Sequence, residues 1–229
     1  KGAYRLYEPA MNTHLLDRVA IERGLRRAIP GGELRLLFQP ETRVGSGEMI
    51  GVEALVRWEH PDLGLIGPGQ FIPIAEETGL IVPLGEWVLR EACSEALRWV
   101  DGHLDAPDFL LSVNLSARQL AQEDLAERIA MILDETGFPA EQLALEITES
   151  VIMDDTEATL HALHALKGLG VKLVIDDFGT GYSSLAYLKR FAVDLLKIDR
   201  TFIQSIADDA EDAVIVSGII SLAHALGLR

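Results

Sequence analysis

The stretch KLVIDDF, residues 172–178, ends an apolar run in the adjacent acids Asp176 and Asp177. Four further apolar runs carry a polar residue near their ends: MIGVEALVRW (49–58) with Glu53, FLLSVNLS (109–116) with Asn114, LALEITES (143–150) with Glu146, and VDLLKID (193–199) with Lys197. Barrels of parallel strands build active sites from side chains that the strand ends deliver to one rim. Oxygen ligands of this kind suit Mg²⁺, Mn²⁺ or Ca²⁺. The sequence therefore predicts a metal-dependent enzyme that acts on an anionic substrate.

The spacing of these polar residues is that of repeated strand–helix units. Asn114, Glu146, Asp176 and Lys197 follow one another at intervals of 32, 30 and 21 residues, which are βα-unit lengths. Before them, the strand-like runs ELRLLFQPE and EMIGVEALVRW are separated only by a short turn-rich segment, so these two strands must be antiparallel. We predict an α/β fold, a TIM-like (β/α)8 barrel with an antiparallel first strand that lacks its last strands.

Helices are expected between the strands. The predicted helices are residues 15–29, Val82–Val100, a helix from about Ser116, Thr156–Leu169, a short helix after Ser184, and a helix from about Glu211. Ser116 and Gln119 have the spacing of a capping box. The uncharged stretch 213–228 is shorter than the ~20 residues of a membrane span, and its Ser217, Ser221 and His224 predict a narrow polar stripe on a mostly buried helix.

Composition limits the classes of partner. The 229 residues, 48% of them hydrophobic, suit one large domain. With 20 basic against 36 acidic residues, the net charge of -16 disfavours long nucleic acids and membrane contact. A small phosphorylated substrate remains compatible because bound metal ions invert the local potential. The lone Cys93 is expected to be buried packing, and the lack of a disulfide framework or signal pattern predicts a cytoplasmic location.

Several of these residues also have an ordinary structural explanation. A single acid at a strand end is as well explained by solvation or helix capping. The pair Asp176–Asp177 is harder to explain in this way, because it enters FGTGYSSL (178–185), whose glycines allow the chain to turn so that both acids reach one centre. That segment lacks the spacing of a phosphate-binding loop. His161 and His164 are expected on the outside of the barrel, in packing or solvent contact.

Several long motifs in one order identify a family resemblance. EALVRWEHP, FIPIAEETGLI, SVNLS, LEITES, DDFGTGYSSL and LKIDR resemble the EAL domain of cyclic di-GMP phosphodiesterases, from about residue 15 to the end. YEPAMN is similar to the tail that joins an upstream GGDEF domain to an EAL domain. Residues 1–14 are accordingly predicted to be a linker or the tail of a preceding domain, and residues 15–229 an EAL domain that is incomplete at its C-terminal end.

The resemblance implies a set of metal ligands. Glu53, Asn114, Glu146 and Asp176 would hold one metal ion, and Asp176 would bridge to a second ion that Asp177 also ligates. Glu53 and Asp177 thereby belong to the implied catalytic set as well. The implied cofactor is a pair of Mg²⁺ or Mn²⁺ ions, with Ca²⁺ inhibitory.

Four further residues acquire roles from the same resemblance. Lys197 would position or polarise the attacking water, Arg57 would contact a substrate phosphate, and Gln39 would touch a guanine. Glu149 would anchor the loop 178–185 and couple it to the metal ions and to dimerisation. The implied partners are cyclic di-GMP, a second copy of the chain, and covalently linked GGDEF or sensory domains.

The implied reaction is hydrolysis of cyclic di-GMP to linear pGpG. Two alternatives stay open: a catalytically inactive EAL domain that serves as a cyclic di-GMP receptor or dimerisation module, and a barrel hydrolase of another phosphoester. The sequence stops before the family's AEGVE-like and QGY-like motifs, which would supply another ligand to the second ion and a polar contact near the water. We expect a C-terminal remainder to carry them.

Overall fold

Seven strands form one mixed sheet in the computed structural model, which describes residues 9–100, 109–153, 157–180, 191, 193–204, 206 and 209–229. The strands are β1 (Leu34–Thr42), β2 (Met49–His60), β3 (Gly64–Ile66), β4 (Leu110–Asn114), β5 (Leu143–Thr148), β6 (Lys172–Phe178) and β7 (Leu195–Ile198). The order is β1-β2-β4-β5-β6-β7, with β3 paired to β2. β1 is antiparallel to β2, and the pairs from β2 through β4, β5 and β6 to β7 are parallel. The predicted antiparallel first strand is confirmed, whereas the short β3 was not predicted.

Helices connect the parallel strands, as the alternating pattern predicted. They are α1 (Pro9–Gly31), α2 (Pro68–Thr78), α3 (Ile81–Val100), α4 (Ala117–Leu120), α5 (Leu125–Thr136), α6 (Glu149–Met153), α7 (Glu157–Gly168), α8 (Arg200–Gln204) and α9 (Ala210–Ala225), with a 3₁₀ turn at Ala140–Gln142. The capping box of Ser116 and Gln119 is present at the start of α4. α1 runs through the domain boundary predicted between residues 14 and 15. The helix predicted after Ser184 lies outside the described residues.

The sheet curls as a TIM-like barrel does. β1 and β7 stand at opposite ends of the strand order. Even so, the side chain of Lys197 on β7 lies 3.0 Å from Glu41 on β1. A single lysine side chain can connect the two ends only if the sheet bends around a narrow interior. The polar groups of several strands therefore face a common space.

The core lies between the sheet and its helices. β5 is buried from Leu143 to Ile147, as is typical of a parallel strand covered on both faces. Trp58 and Phe71 are fully buried and meet edge to face, with ring centroids 5.9 Å apart. Cys93 is fully buried as well, and its burial raises the pKa of the thiol to about 12. The prediction that Cys93 is buried packing is thus confirmed.

The prediction for the last helix is wrong in one respect. α9 was expected to be mostly buried, but Val214, Ile215 and Ile220 are exposed, along with Ser217 and Ser221. Only one narrow face of the helix packs on the domain within the described residues, and the absence of charge along a helix does not require burial on every side. Among the described residues, no helix has both the length and the hydropathy needed to cross a bilayer.

Candidate active site

Lys197 lies at the centre of three carboxylates. Its Nζ is 3.0 Å from Glu41 Oε1 and 3.3 Å from Glu53 Oε2, and it donates a short hydrogen bond to Glu146 Oε1. Oxygens of the three acids lie within 4.8 Å of one another. Asn114 Nδ2 donates to the other oxygen of Glu53 at 2.8 Å. Four of the predicted site residues therefore meet, although up to 144 positions separate them along the chain.

The parallel register explains this meeting. Asn114 on β4 is paired with Glu146 on β5, and paired residues of neighbouring strands point to the same side of a sheet. Thr148, two residues beyond Glu146, is paired with Asp176 on β6. Asp176 consequently lies two residues nearer the carboxyl ends of the strands than the position paired with Glu146. Its charge acts on Glu146 and raises the pKa of that side chain.

Glu146 carries the most perturbed carboxyl group of the cluster. Its side chain is fully buried, and burial raises its pKa to about 7 despite the opposing attraction of Lys197. Burial alone would lower the pKa of Lys197, but the charges of Glu146, Glu41 and Glu53 outweigh that effect and raise it. At neutral pH, Lys197 therefore stays charged while Glu146 is near its midpoint of ionisation.

The donor set fits a divalent metal ion. Glu146 Oε2 is buried without a hydrogen-bond partner among the described residues. An unpaired buried carboxylate oxygen is costly unless a cation or proton satisfies it. The neighbouring groups are carboxylate and amide oxygens, which Mg²⁺ and Mn²⁺ prefer over nitrogen or sulfur. Glu53 and Glu146, with Asn114 beside them, can thus hold a metal ion.

The adjacent acids at the end of β6 lie in a β-bulge. Ile175 is paired with Leu196 and Phe178 with Ile198, so β6 contains one residue more than β7 over this interval. Asp177 has a positive φ of 55°, which is unusual for a residue other than glycine. The turn expected from the following glycines thus begins at Asp177 itself. A bulge redirects side chains that would otherwise point to opposite faces.

The carboxyl of Asp177 lies among other acids. Partial burial, together with the charges of Asp176 and Asp199, raises its pKa. Asp199 follows β7 and accepts hydrogen bonds from the backbone N–H and hydroxyl of Thr201. Asp199 ends the predicted strand VDLLKID, and its position there predicted no role for it.

The remaining predicted residues surround the cluster. Glu149 is buried and accepts a 3.0 Å hydrogen bond from the N–H of Gly179, in the segment that follows β6. Gln39 on β1 is paired with Glu53 and so shares its face. Arg57 lies on the same face of β2, four residues nearer the strand end, where Nη1 donates to the carbonyl of Val56 at 2.8 Å. Neither Arg57 nor Gln39 has a described contact with the cluster.

Glu41 is a residue of the cluster that was not predicted from the sequence. It is near the end of β1, two residues beyond Gln39, and is paired with Gly51. The alternation of β1 places it on the face of Gln39, and this was the available signal. Glu41 ends the strand-like run ELRLLFQPE, but an antiparallel first strand gives no local sign that its end lies near Lys197.

A cavity of about 420 Å³ borders the cluster. It lies between β2, α2 and α3, where Leu55, Ile72 and Leu84 line it, and it extends to Asn114 and Thr148. The size is within the range of small-ligand sites, and the mainly apolar wall with a few polar groups is typical of them.

Two curated cyclic di-GMP phosphodiesterases are similar to this chain along its whole length. The bifunctional diguanylate cyclase/cyclic di-GMP phosphodiesterase MucR of Pseudomonas aeruginosa is 47% identical over the whole chain, which spans 33% of that relative. The cyclic di-GMP phosphodiesterase PdeR of Escherichia coli is 36% identical, again over the whole chain and 34% of its own length. The chain thus spans about a third of these curated relatives.

Solved structures show the same architecture. A PaMucR phosphodiesterase in complex with c-di-GMP has a TM-score of 0.85 and 49% identity, covering 92% of this chain and 84% of its own. The FimX EAL domain from Pseudomonas aeruginosa bound to c-di-GMP has a TM-score of 0.77 at 27% identity, with coverage of 93% and 83%. The model of the EAL domain matches residues 22–229. The chain belongs to the EAL domain family.

Proposed function

We propose that the chain is the phosphodiesterase module of its protein and hydrolyses one phosphodiester bond of cyclic di-GMP to give linear pGpG. The observation that carries the proposal is the convergence of Glu53, Asn114, Glu146 and Lys197 at the carboxyl ends of parallel strands. The EAL family membership and the names of the two curated relatives support the substrate.

The proposal includes a site for two metal ions. Glu53, Asn114, Glu146 and Asp176 would hold the first, and Asp176 and Asp177 would share the second. When bound, Mg²⁺ or Mn²⁺ supplies a hydroxide-like nucleophile near neutral pH and offsets charge on the phosphorane-like transition state. Ca²⁺ is expected to occupy the same oxygens and inhibit.

The chain's own groups orient the reaction. Lys197 carries a positive charge inside a narrow interior, where it holds the attacking water and the anionic phosphate in line. Arg57, on the same strand face and nearer the rim, would bind a substrate phosphate. Gln39 would meet a guanine. Glu149 accepts from the Gly179 N–H and thereby anchors the start of the loop that follows Asp177.

The wider organisation of the protein remains a proposal as well. We propose residues 1–14 as the tail of a preceding GGDEF or sensory domain and residues 15–229 as part of the EAL domain. Homodimerisation, coupled through the loop that Glu149 anchors, and a cytoplasmic location complete the proposal.

A product assay tests the proposed function. The complete protein is incubated with cyclic di-GMP and Mn²⁺, and pGpG is measured by chromatography; chelator, Ca²⁺ and Glu146→Gln are the controls. We expect pGpG with Mn²⁺ and at least about 100-fold less in each control, because each removes the metal ion, replaces it or takes the charge from one of its ligands. Tight binding of cyclic di-GMP without product would contradict hydrolysis and support a receptor. Absence of both binding and product would contradict both functions.

The pKa of Glu146 predicts how metal binding depends on pH. Without metal this carboxyl is protonated below pH of about 7 and ionised above it. A metal ion requires the ionised form, so binding below pH 7 must displace a proton. We expect Mn²⁺ affinity to fall by up to about tenfold per pH unit below 7 and to level off above it. Calorimetric titrations from pH 5.5 to 8.5 measure this. An affinity that is unchanged between pH 5.5 and 7 would contradict it.

A further inference from the structure

We propose that Glu41 is a positioning residue that holds the Lys197 ammonium in place for turnover. The inference rests on the proposed phosphodiesterase function, in which Lys197 orients the attacking water. Glu41 belongs to neither the predicted metal ligands nor the predicted substrate contacts. Its one described close ionic contact is with Lys197, at 3.0 Å.

The register puts Glu41 beneath the reacting groups. It is paired with Gly51, whereas Gln39 is paired with Glu53. Since β2 runs from Gly51 towards Glu53 and Arg57, Glu41 lies nearer the amino ends of the parallel strands. The substrate is expected at the opposite, carboxyl end. Glu41 therefore approaches the ammonium from the interior of the barrel.

The space for this carboxylate exists because residue 51 is glycine. A Cβ on Gly51 would be 3.2 Å from Glu41 Oε2, so the side chain of Glu41 lies over bare backbone. Glu41 Oε1 is buried and makes no aligned hydrogen bond with any described residue. Its contact with Lys197 Nζ is thus an ion pair whose angle departs from hydrogen-bond geometry, and it depends on charge rather than on alignment.

A third carboxylate has a function that the other two cannot perform. Glu53 and Glu146 also contact Lys197, but both are proposed metal ligands. A divalent cation on their oxygens would compete with the ammonium for them and would repel it. Glu41 is outside the proposed ligand set, so its attraction for Lys197 persists when metal binds. Glu41 thereby allows the Lys197 ammonium and the metal ions to lie together in the interior of the barrel.

The variant Glu41→Gln tests the inference because it keeps the shape of the side chain and removes its charge. We expect kcat at saturating Mn²⁺ to fall about tenfold, while KM and the Kd of cyclic di-GMP measured with Ca²⁺ stay within twofold. Glu41→Asp, which keeps the charge, should recover part of the loss. Glu48→Gln, an exposed acid on the same β1–β2 hairpin, is the matched control and should retain wild-type kcat.

A second background shows whether Glu41 acts through Lys197. Residues that act as a unit give non-additive effects, so Glu41→Gln should lower kcat by less than twofold in a Lys197→Met protein. The same loss in both backgrounds would contradict the inference and assign Glu41 to the metal ions. Wild-type kcat in Glu41→Gln, or a large loss of cyclic di-GMP affinity, would also contradict it.

A readout that is independent of turnover separates this inference from the proposed function. In metal-free protein, the ammonium signal of Lys197 in nitrogen-15 NMR is identified by its absence in Lys197→Met. Loss of the Glu41 charge should accelerate exchange of the ammonium protons with water at least threefold. Unchanged exchange would overturn the role of Glu41 even if the wild type hydrolyses cyclic di-GMP. Faster exchange in a protein that yields no pGpG would leave Glu41 as the partner of Lys197 and refute the proposed hydrolysis.

Discussion

Lys197→Met should lower kcat for cyclic di-GMP about 10³-fold. This loss is at the upper end of the range for removing one protein group that stabilises charge in the transition state. Methionine keeps much of the length of the side chain and removes the ammonium that three carboxylates surround. Substrate affinity measured with Ca²⁺ should change only a few-fold. Initial rates of pGpG formation at saturating Mn²⁺ provide the measurement.

The control for this variant is Lys172→Met. Lys172 is half-buried at the start of β6, where it is paired with Ala144, away from the carboxyl ends of the strands. Its replacement should leave kcat within about twofold, as expected for a residue outside the transition-state contacts. A Lys197→Met enzyme with kcat within tenfold of wild type would contradict the role given to the ammonium.

Gly51→Ala should destabilise the domain by about 3 kcal/mol, the upper part of the usual range for overpacking. A Cβ at this position would lie 2.5 Å from the carbonyl oxygen of Leu110. This contact is with backbone, so β2 and β4 would have to separate. Glu53 follows two residues later on β2, and kcat should fall as well. Urea unfolding of metal-free protein measures the change in stability.

Gly218→Ala is the matched control for the glycine substitution. Gly218 is exposed in α9, and an added Cβ would meet nothing within 4 Å. Alanine should raise the unfolding free energy by about 0.5–1 kcal/mol, because glycine is the poorer helix former. If Gly51→Ala were as stable as Gly218→Ala, the close approach of β2 to β4 would be contradicted.

The sequence predicted the parts of the fold that depend on local pattern and spacing. Regular intervals between Asn114, Glu146 and Asp176 indicated parallel βα units, and parallel register brings the ends of such strands together. Glu53 was identified from its place in a strand-like apolar run instead, because no βα-unit interval separates it from Asn114. These positions could be predicted because each lies in a local strand pattern.

Other features depend on contacts that no local pattern specifies. Glu41 contacts Lys197 only because the sheet curls and brings the side chains of β1 close to those of β7. The bulge at Asp177 requires a register shift against β7, whereas the sequence indicated only a turn. The exposure of α9 was mispredicted because an uncharged helix can leave part of its apolar surface in solvent.

The central claim is that acids and an amide from separate strands meet around a divalent cation at the strand ends. Crystals of the complete protein grown with saturating Mn²⁺ test it through the anomalous signal of manganese. We expect a peak within about 2.5 Å of oxygens from Glu53, Asn114, Glu146 and Asp176. Manganese bound elsewhere, with no peak among these four side chains, would contradict it.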